Sequence, residues 1–407
     1  MVDFSPFRGW RPPAHMAGEV ASVPYDVLST EEARAIISSN PKSMMRVIRP
    51  DGELPVGTSL YSETAYRQAA NAFGDLIDSG LLIEDESPHF YVYAQQMGTH
   101  RQVGLMGLGS TKDYLNDRIK KHEFTRPDKE NDRVRHIETV GAHLGPVFLS
   151  YRGIATIDDL IRRVTSAQPT VSFTANDDIQ HELWAVSDPQ LVDDITTAFV
   201  DVDAFYIADG HHRAAAAARI GDGHDDESAR SSFLVVAFPD HALKILPYNR
   251  VVHHLGKRDS RAFMEAISEI FHVTVLNEAK APSTPKRFSM YLKDQWYELS
   301  FRDERLTNIS DAVKGLDVSL LQDYVLSPLL GIEDPRTSAD IDFVGGIRGL
   351  GELEKRAQSY GGVAFAMYPT SMSELLSVAD SGSVMPPKST WFEPKLRTGM
   401  VVNRFRK

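Results

Sequence analysis

The pattern of apolar and polar positions along the chain predicts helices and strands in alternation. Residues up to Asp26 read as loop, and a helix follows in which Ser29 and Glu32 form a capping box. MMRVI at 44–48 reads as a short strand, and a second helix is expected from 62 to about 78. The stretches 89–94 and 102–107, rich in Tyr, Val and Leu, flank Met97-Gly98-Thr99-His100 in the manner of a β-hairpin. From 120 the chain is densely charged, without a clean apolar face, until the strand PVFLSY ending at Tyr151. Beyond it the pattern predicts a helix at 157–166, strands near 170–175 and 181–186, a helix opened by Asp188-Pro189, and the strand AFYIAD at 204–209. A polar loop at 221–230 precedes the buried-strand pattern SFLVVAF and then LKILPYNRVV. After about 255 new elements begin: helices at 260–270, 317–330, 349–359 and 371–380, with strands at 287–293, 296–301, 341–344 and 362–367. A domain boundary is placed there.

Length changes this picture little, since 407 residues predict two or three domains. Charge and cysteine content change it more. The net charge of −12 disfavours a non-specific grip on nucleic acid or anionic lipid, although a local basic pocket is compatible with it. The absence of cysteine removes disulfides, thiolate nucleophiles, iron–sulfur clusters and zinc-thiolate sites together, so any metal must use O or N ligands. No window approaches 18 consecutive apolar residues and the amino terminus lacks a signal-peptide core, which reads as a cytoplasmic protein.

Three stretches carry candidate chemistry. In Tyr206-Ile207-Ala208-Asp209-Gly210-His211-His212-Arg213 an apolar strand runs through Gly into an alanine-rich helix. Amides of the first helical turn carry partial positive charge, Gly210 lets a phosphate approach the backbone, and Arg213 adds a forked donor. The competing reading is that Asp209 caps the helix and the His-His-Arg trio is a solvated or core-satisfied patch. His211 and His212 point about 100° apart in a helix, which disfavours joint chelation of one metal. Second, Lys121-His122-Glu123 precedes Arg126, Lys129, Asp132 and Arg133. A carboxylate beside a basic cluster can be aimed at a hydroxyl proton while the bases hold phosphates, or the segment is a hydrated charged loop. Third, MPPKSTWFEPK at 385–395 either lines a pocket with its lysines and hydroxyls or is a rigid loop packing Trp391 and Phe392. GLMGLGSTK at 104–112 is rejected as a P-loop because Ser110 stands where the lysine must be.

Read together, VPYDVLS (23–29), RVIRP (46–50), KKHEFT (120–125), Asp132-Arg133, GPVFLSY (145–151), IADGHHRAAAA (207–217), LPYNRVV (246–252) and MPPKSTWFEPKLRTG (385–399) resemble the domain of unknown function 1015 family. The HE pair followed by DGHHR also resembles the free-serine kinases of the ParB/sulfiredoxin-like superfamily, which phosphorylate free L-serine using ATP or ADP. The resemblance implies an α+β fold: a mixed-sheet ParB/sulfiredoxin-like nucleotide-binding core over 1–255, and a C-terminal α/β subdomain, 256–407, contributing the MPPKST loop. It implies Glu123 as base beside His122, and Gly210, His211, His212, Arg213 and Arg133 as the nucleotide-phosphate cradle. Asp209 is expected to hold Mg²⁺ or orient that cradle. Arg46, Arg49, Lys388 and Lys395, in family-like stretches, are expected to bind substrate carboxylate or phosphate. Tyr25 and Asp26 are similar candidates without a catalytic role. The function so implied is a small-molecule kinase for serine or a similar hydroxy acid, with ATP or ADP and Mg²⁺. The alternatives are a non-enzymatic ParB-like nucleotide-binding regulator or a phosphate-ester hydrolase. Its partners would be a small-molecule substrate and, at most, a second copy in a homodimer, with no membrane and with nucleic acid disfavoured. A departure is the roughly 85 residues between the two motifs. A sulfiredoxin-like activity is contradicted, because the thiol it needs is absent.

Overall fold

The computed structural model describes residues 1–225, 228–303 and 309–406. Asp226 and Glu227 of the expected polar loop at 221–230 lie outside the described residues. The chain groups into two compact units. The first takes Met1–Lys121, Thr125–Leu243 and the residues from Pro394 onward; the second takes His122–Phe124 and Lys244–Glu393. Beside the expected boundary at 255/256, the chain thus enters the second unit after Leu243 and leaves it at Pro394. The reason is strand pairing: Tyr248–Val252, ahead of the expected boundary, hydrogen-bonds to Ile341–Gly345 and Val363–Ala366.

The first unit is built on a 9-stranded mixed sheet. Its strands run in the order Ile119–Lys120, Phe205–Asp209, Val147–Tyr151, Ser232–Pro239, His100–Ser110, Phe90–Met97, Gln180–Val186 and Val171–Thr174, with Phe4–Ser5 added to His100–Ser110. Val147–Tyr151 is parallel to Ser232–Pro239 and antiparallel to Phe205–Asp209. The predicted hairpin is present as Phe90–Met97 and His100–Ser110, with Gly98 at φ +57 in the turn. One face carries an aromatic cluster in which the Phe205 ring lies 5.8 Å from Phe4, 6.1 Å from Phe199 and 6.4 Å from Tyr151. The second unit is a 6-stranded antiparallel sheet in the order Phe271–Leu276, Gln295–Phe301, Arg287–Leu292, Val363–Ala366, Tyr248–Val252 and Ile341–Gly345. The helix Leu350–Tyr360 covers one of its faces through Leu353 and Ala357, against Val251, Val344 and Ala364.

Three sequence expectations are corrected. MMRVI is not a strand: Met45–Ile48 forms a single helical turn whose Met45, Val47 and Ile48 are all buried. A four-residue run buried except at Arg46 reads alike in either conformation. From Pro127 on, the charged stretch is not a hydrated loop but a helix, Pro127–Val140, started by Pro127 and ended by Gly141 at φ +72, whereas 121–126 are irregular. Its buried positions, Asp132, Arg133, His136, Ile137 and Val140, follow helical spacing, but three of the five are ionisable, so apolar periodicity did not reveal them. The helix expected at 317–330 contains a π-helical segment, Gln322–Leu326, between Asp317–Leu321 and Ser327–Leu330. The capping box is as expected: Ser29 accepts from the Glu32 amide, and Glu32 accepts from the Ser29 amide at 2.7 Å. Among the described residues no helix is long and apolar enough to cross a membrane.

Phe205→Ala, which empties the centre of the aromatic cluster, is expected to lower stability by about 3–5 kcal/mol. The shift in urea midpoint measures this, and a loss well under 1 kcal/mol would mean that the neighbouring rings close the gap.

Candidate active site

The site grows from the end of one strand. Phe205–Asp209 runs apolar and buried through Ala208 and emerges at Asp209, which is half-buried. Gly210 turns the chain with φ +93, a conformation L side chains rarely adopt, and the helix His211–Gly221 begins without a capping side chain. A Cβ on Gly210 would stand 2.9 Å from Nε and Nη2 of Arg213, so glycine is also what allows that guanidinium to fold back over the turn. Arg213 Nη2 donates to Asp209 Oδ2 at 2.7 Å, and Nη1 donates to the carbonyl of Pro146. Lys395 Nζ donates to the other oxygen, Asp209 Oδ1, at 2.9 Å. Desolvation would raise the pKa of Asp209, but Lys395 and then Arg213 outweigh it and hold the carboxyl well below the usual carboxylate range.

The helix Pro127–Val140 supplies the second guanidinium. Arg133 is buried and donates from Nε to Asp132 Oδ2 at 2.8 Å, while Tyr66 donates its hydroxyl to Asp132 Oδ1 at 2.9 Å. The Arg133 guanidinium lies 4.0 Å from the centre of the Tyr25 ring. Burial pushes the Tyr25 phenol up to about 12, against the opposing pull of Arg133. Tyr25 is held in turn by Arg49, whose Nη1 donates to the carbonyls of Tyr25 and Leu28. The remaining N–H groups of Arg49 go to Asp51 and Thr30. Arg49 is therefore fully engaged inside the chain, as a clamp on the loop that carries Tyr25.

Tyr25, Arg133, His143, Gly145, Arg213 and Thr398 line one cavity of about 40 Å³, within the first unit. That is room for about three waters, the scale of a phosphate or carboxylate group. Thr398 reaches it because Ser22 and Thr398 exchange backbone hydrogen bonds of 2.9 and 2.8 Å. Gly145 keeps the corner open, since a Cβ there would lie 2.8 Å from Thr398 Oγ1. Two buried histidines flank the space. His136 bonds the Val47 carbonyl through Nε2 at 2.9 Å, whereas His143 Nε2 is buried without a hydrogen-bond partner. Burial lowers both pKa values to about 4, aided at His136 by Arg133.

The structure thus brings Asp209, Gly210, Arg213, Arg133 and Lys395 together. Arg126, which follows the HE segment, donates its backbone N–H to His212 Nε2 at 3.1 Å, so the chain two residues after Phe124 docks on the Gly210 turn. His122–Phe124 itself groups with the second unit, where His122 is buried, its Nε2 lies 3.2 Å from Thr390 Oγ1, and its carbonyl accepts from Met385 at 2.8 Å. Arg46 is paired with Glu53 at 2.5 Å and Asp75 at 3.1 Å, away from the cavity's lining. Lys388 belongs to the second unit, its Nζ 5.6 Å from the Tyr248 ring centre. His143, Gly145 and Thr398 were not singled out as site residues. Gly145 and Thr398 lie in stretches already marked as family-like, but nothing local distinguishes His143.

The histidines give the site a pH signature. Their folded pKa values lie below the ordinary 6.5, so their neutral forms stabilise the fold fully above that pH, and this is lost as pH falls toward 4. His143→Gln is expected to remove about 2 kcal/mol of the stability loss between about pH 7 and pH 5. Urea midpoints at the two pH values measure it; an unchanged slope would place the ring in solvent.

Several solved structures are similar to the chain. A free serine kinase in complex with AMP shares 15% identity at TM-score 0.34, covering 70% of this chain and 89% of that one. A conserved hypothetical protein from Pyrococcus furiosus shares 16% at TM-score 0.33, covering 70% and 93%. SbnI with a C-terminal truncation, from Staphylococcus aureus, shares 11% at TM-score 0.39, covering 72% and 87%. No curated protein matches the chain. The family described as "Protein of unknown function (DUF1015)" matches residues 4–319, and the chain belongs to that family.

Proposed function

We propose that this protein is a small-molecule kinase of ParB-like core architecture, which takes a nucleotide's phosphates at the Gly210 turn and phosphorylates the hydroxyl of free L-serine or a similar hydroxy acid. The observation that carries the reading is the meeting of Arg133 and Arg213 at one phosphate-sized cavity, with Arg213 rooted in the first turn of a helix that has no side-chain cap. Arg133, Arg213 and Lys395 gather three cations there, held by Asp132 and Asp209 with Asp26 also close to Tyr25, in a chain of net charge −12. Phosphoryl transfer asks a protein mainly for such positioning and charge neutralisation.

In the proposed reaction the acceptor hydroxyl oxygen forms a bond to the terminal phosphorus as the bond to the leaving nucleotide oxygen breaks. Glu123 takes the hydroxyl proton, with His122 beside it. Gly210, His211, His212, Arg213 and Arg133 receive the phosphates. Of the two roles expected of Asp209, orientation is the one proposed: its oxygens are engaged by Lys395 and Arg213, a donor set that does not suit a divalent cation. Mg²⁺, if used, would arrive on the nucleotide, where it supplies charge neutralisation. Arg49 is proposed to act through Tyr25 rather than on substrate.

The test is turnover with ATP and with ADP over a panel of hydroxy-amino and hydroxy acids, with the phosphorylated acceptor identified as product. Glu123→Gln is expected to lower kcat at least about 10²-fold while nucleotide affinity holds. Arg213→Gln is expected to weaken nucleotide binding measured by calorimetry. Full activity of Glu123→Gln would remove the base assignment. Free phosphate without phosphorylated acceptor would point to a hydrolase, and nucleotide binding without turnover to a regulator.

A further inference from the structure

Four arginines are buried among the described residues: Arg49, Arg133, Arg250 and Arg397. Three of them carry a carboxylate each. Arg49 pairs with Asp51 at 2.8 Å, Arg133 with Asp132 at 2.5 Å, and Arg397 with Asp177 at 2.6 Å. Arg250, 3% exposed, is paired with no carboxylate among the described residues. Its Nη1 donates to the carbonyl of Tyr248, and its guanidinium lies 5.2 Å from the centre of the Phe343 ring. A buried charge is tolerated when it is paired, and a carbonyl with a ring face is weak compensation for a full positive charge.

The surroundings of Arg250 lie within the second unit and include the two motifs the proposed kinase site leaves unused, LPYNRVV and MPPKSTW. Arg250 stands directly across from Phe343 and Phe365 in the sheet, on the face opposite to Val251, Val344 and Ala364. Tyr248 shares its face, two residues along the strand. The Tyr248 ring lies 6.2 Å from Phe343 and 5.0 Å from Trp391, edge to face in both cases. Trp391 packs flat over Gly345, where a Cβ would come within 2.7 Å of the indole. These three aromatics are half-exposed, so the face is not sealed. A second cation, Lys388, sits over the Tyr248 ring at 5.6 Å, on a backbone held at φ +57. The nearest carboxylate of the same loop, Glu393, accepts from the Trp391 indole N–H at 2.7 Å.

We infer that Arg250 and Lys388, with the walls of Tyr248, Phe343 and Trp391, form a binding site for the oxyanion group of a small molecule, a carboxylate or a phosphate. The ligand's anion supplies the counter-charge that the chain gives every other buried arginine, and its apolar part rests on the indole and phenol rings. Desolvation lowers the Arg250 pKa to about 10, opposed by Tyr248 and by no carboxylate.

Tryptophan fluorescence tests this separately from the kinase site, because Trp391 lies in the cluster. The full-length protein and a Trp391→Phe variant are titrated with inorganic phosphate in one arm and benzoate in the other, and the difference isolates Trp391. A saturable change in at least one arm is expected, with apparent affinity weakened at least tenfold in both Arg250→Met and Lys388→Ala. The arm that saturates identifies the anion. No saturable Trp391 signal in either arm, or equal affinity in the variants, overturns the inference. Lys388 is exposed, so Lys388→Ala keeps its far-ultraviolet circular dichroism and decides the matter even if Arg250→Met fails to fold. Loss of phosphotransfer activity in any variant has no bearing on this readout.

Discussion

The arrangement of the first unit turns on Asp209. It sits at the end of the Phe205–Asp209 strand, and its two oxygens receive Arg213 from the following helix and Lys395 from the carboxyl-terminal segment. Arg213 also reaches the Pro146 carbonyl, so a single ion network ties the strand end, the helix start, the Gly145-Pro146 corner and the returning tail. Removing water from one carboxylate is costly, and two cations converging on it make the geometry worth keeping. The same network leaves Arg213 lining the cavity, which makes the structural anchor and the proposed anion-recognising group one residue.

A second rule runs through the first unit: buried cations are placed by the carboxylates and rings around them. Asp51 sets Arg49, which sets the Tyr25 loop; Asp132 sets Arg133, which stacks on Tyr25. The loop and the charged helix therefore meet at the cavity through two pairs of residues adjacent or nearly adjacent in sequence, each fixing its own guanidinium. Arg250 departs from the rule, and it does so on a half-exposed aromatic face rather than in a sealed core.

Local signals were legible where a short stretch carries its own chemistry. The Ser29–Glu32 capping box, the hairpin around Gly98 and the passage from an apolar strand through Gly210 into an alanine-rich helix all appeared as read, because the determining atoms lie within four or five residues of one another. The helix Pro127–Val140 did not, because it buries Asp132, Arg133 and His136 where an apolar stripe was sought, and those residues become buriable only when Tyr66, Tyr25 and Val47 arrive to satisfy them. Met45–Ile48 failed for a related reason, since a four-residue run buried except at Arg46 is too short to show a period.

By itself, then, the chain determined its α+β character, the strand–glycine–helix turn, the family-like stretches and the exclusion of thiol chemistry. Tertiary structure decided which of the basic residues face a shared cavity. Arg46 and Arg49 are taken up by Glu53, Asp75 and Asp51, while Arg133 and Arg213 line the cavity and Lys395, more than 260 residues after Arg133, joins Arg213 on Asp209. A guanidinium's partner depends on what folding places within about 3 Å of it, and that distance is set by sheet register and helix packing rather than by neighbours in sequence.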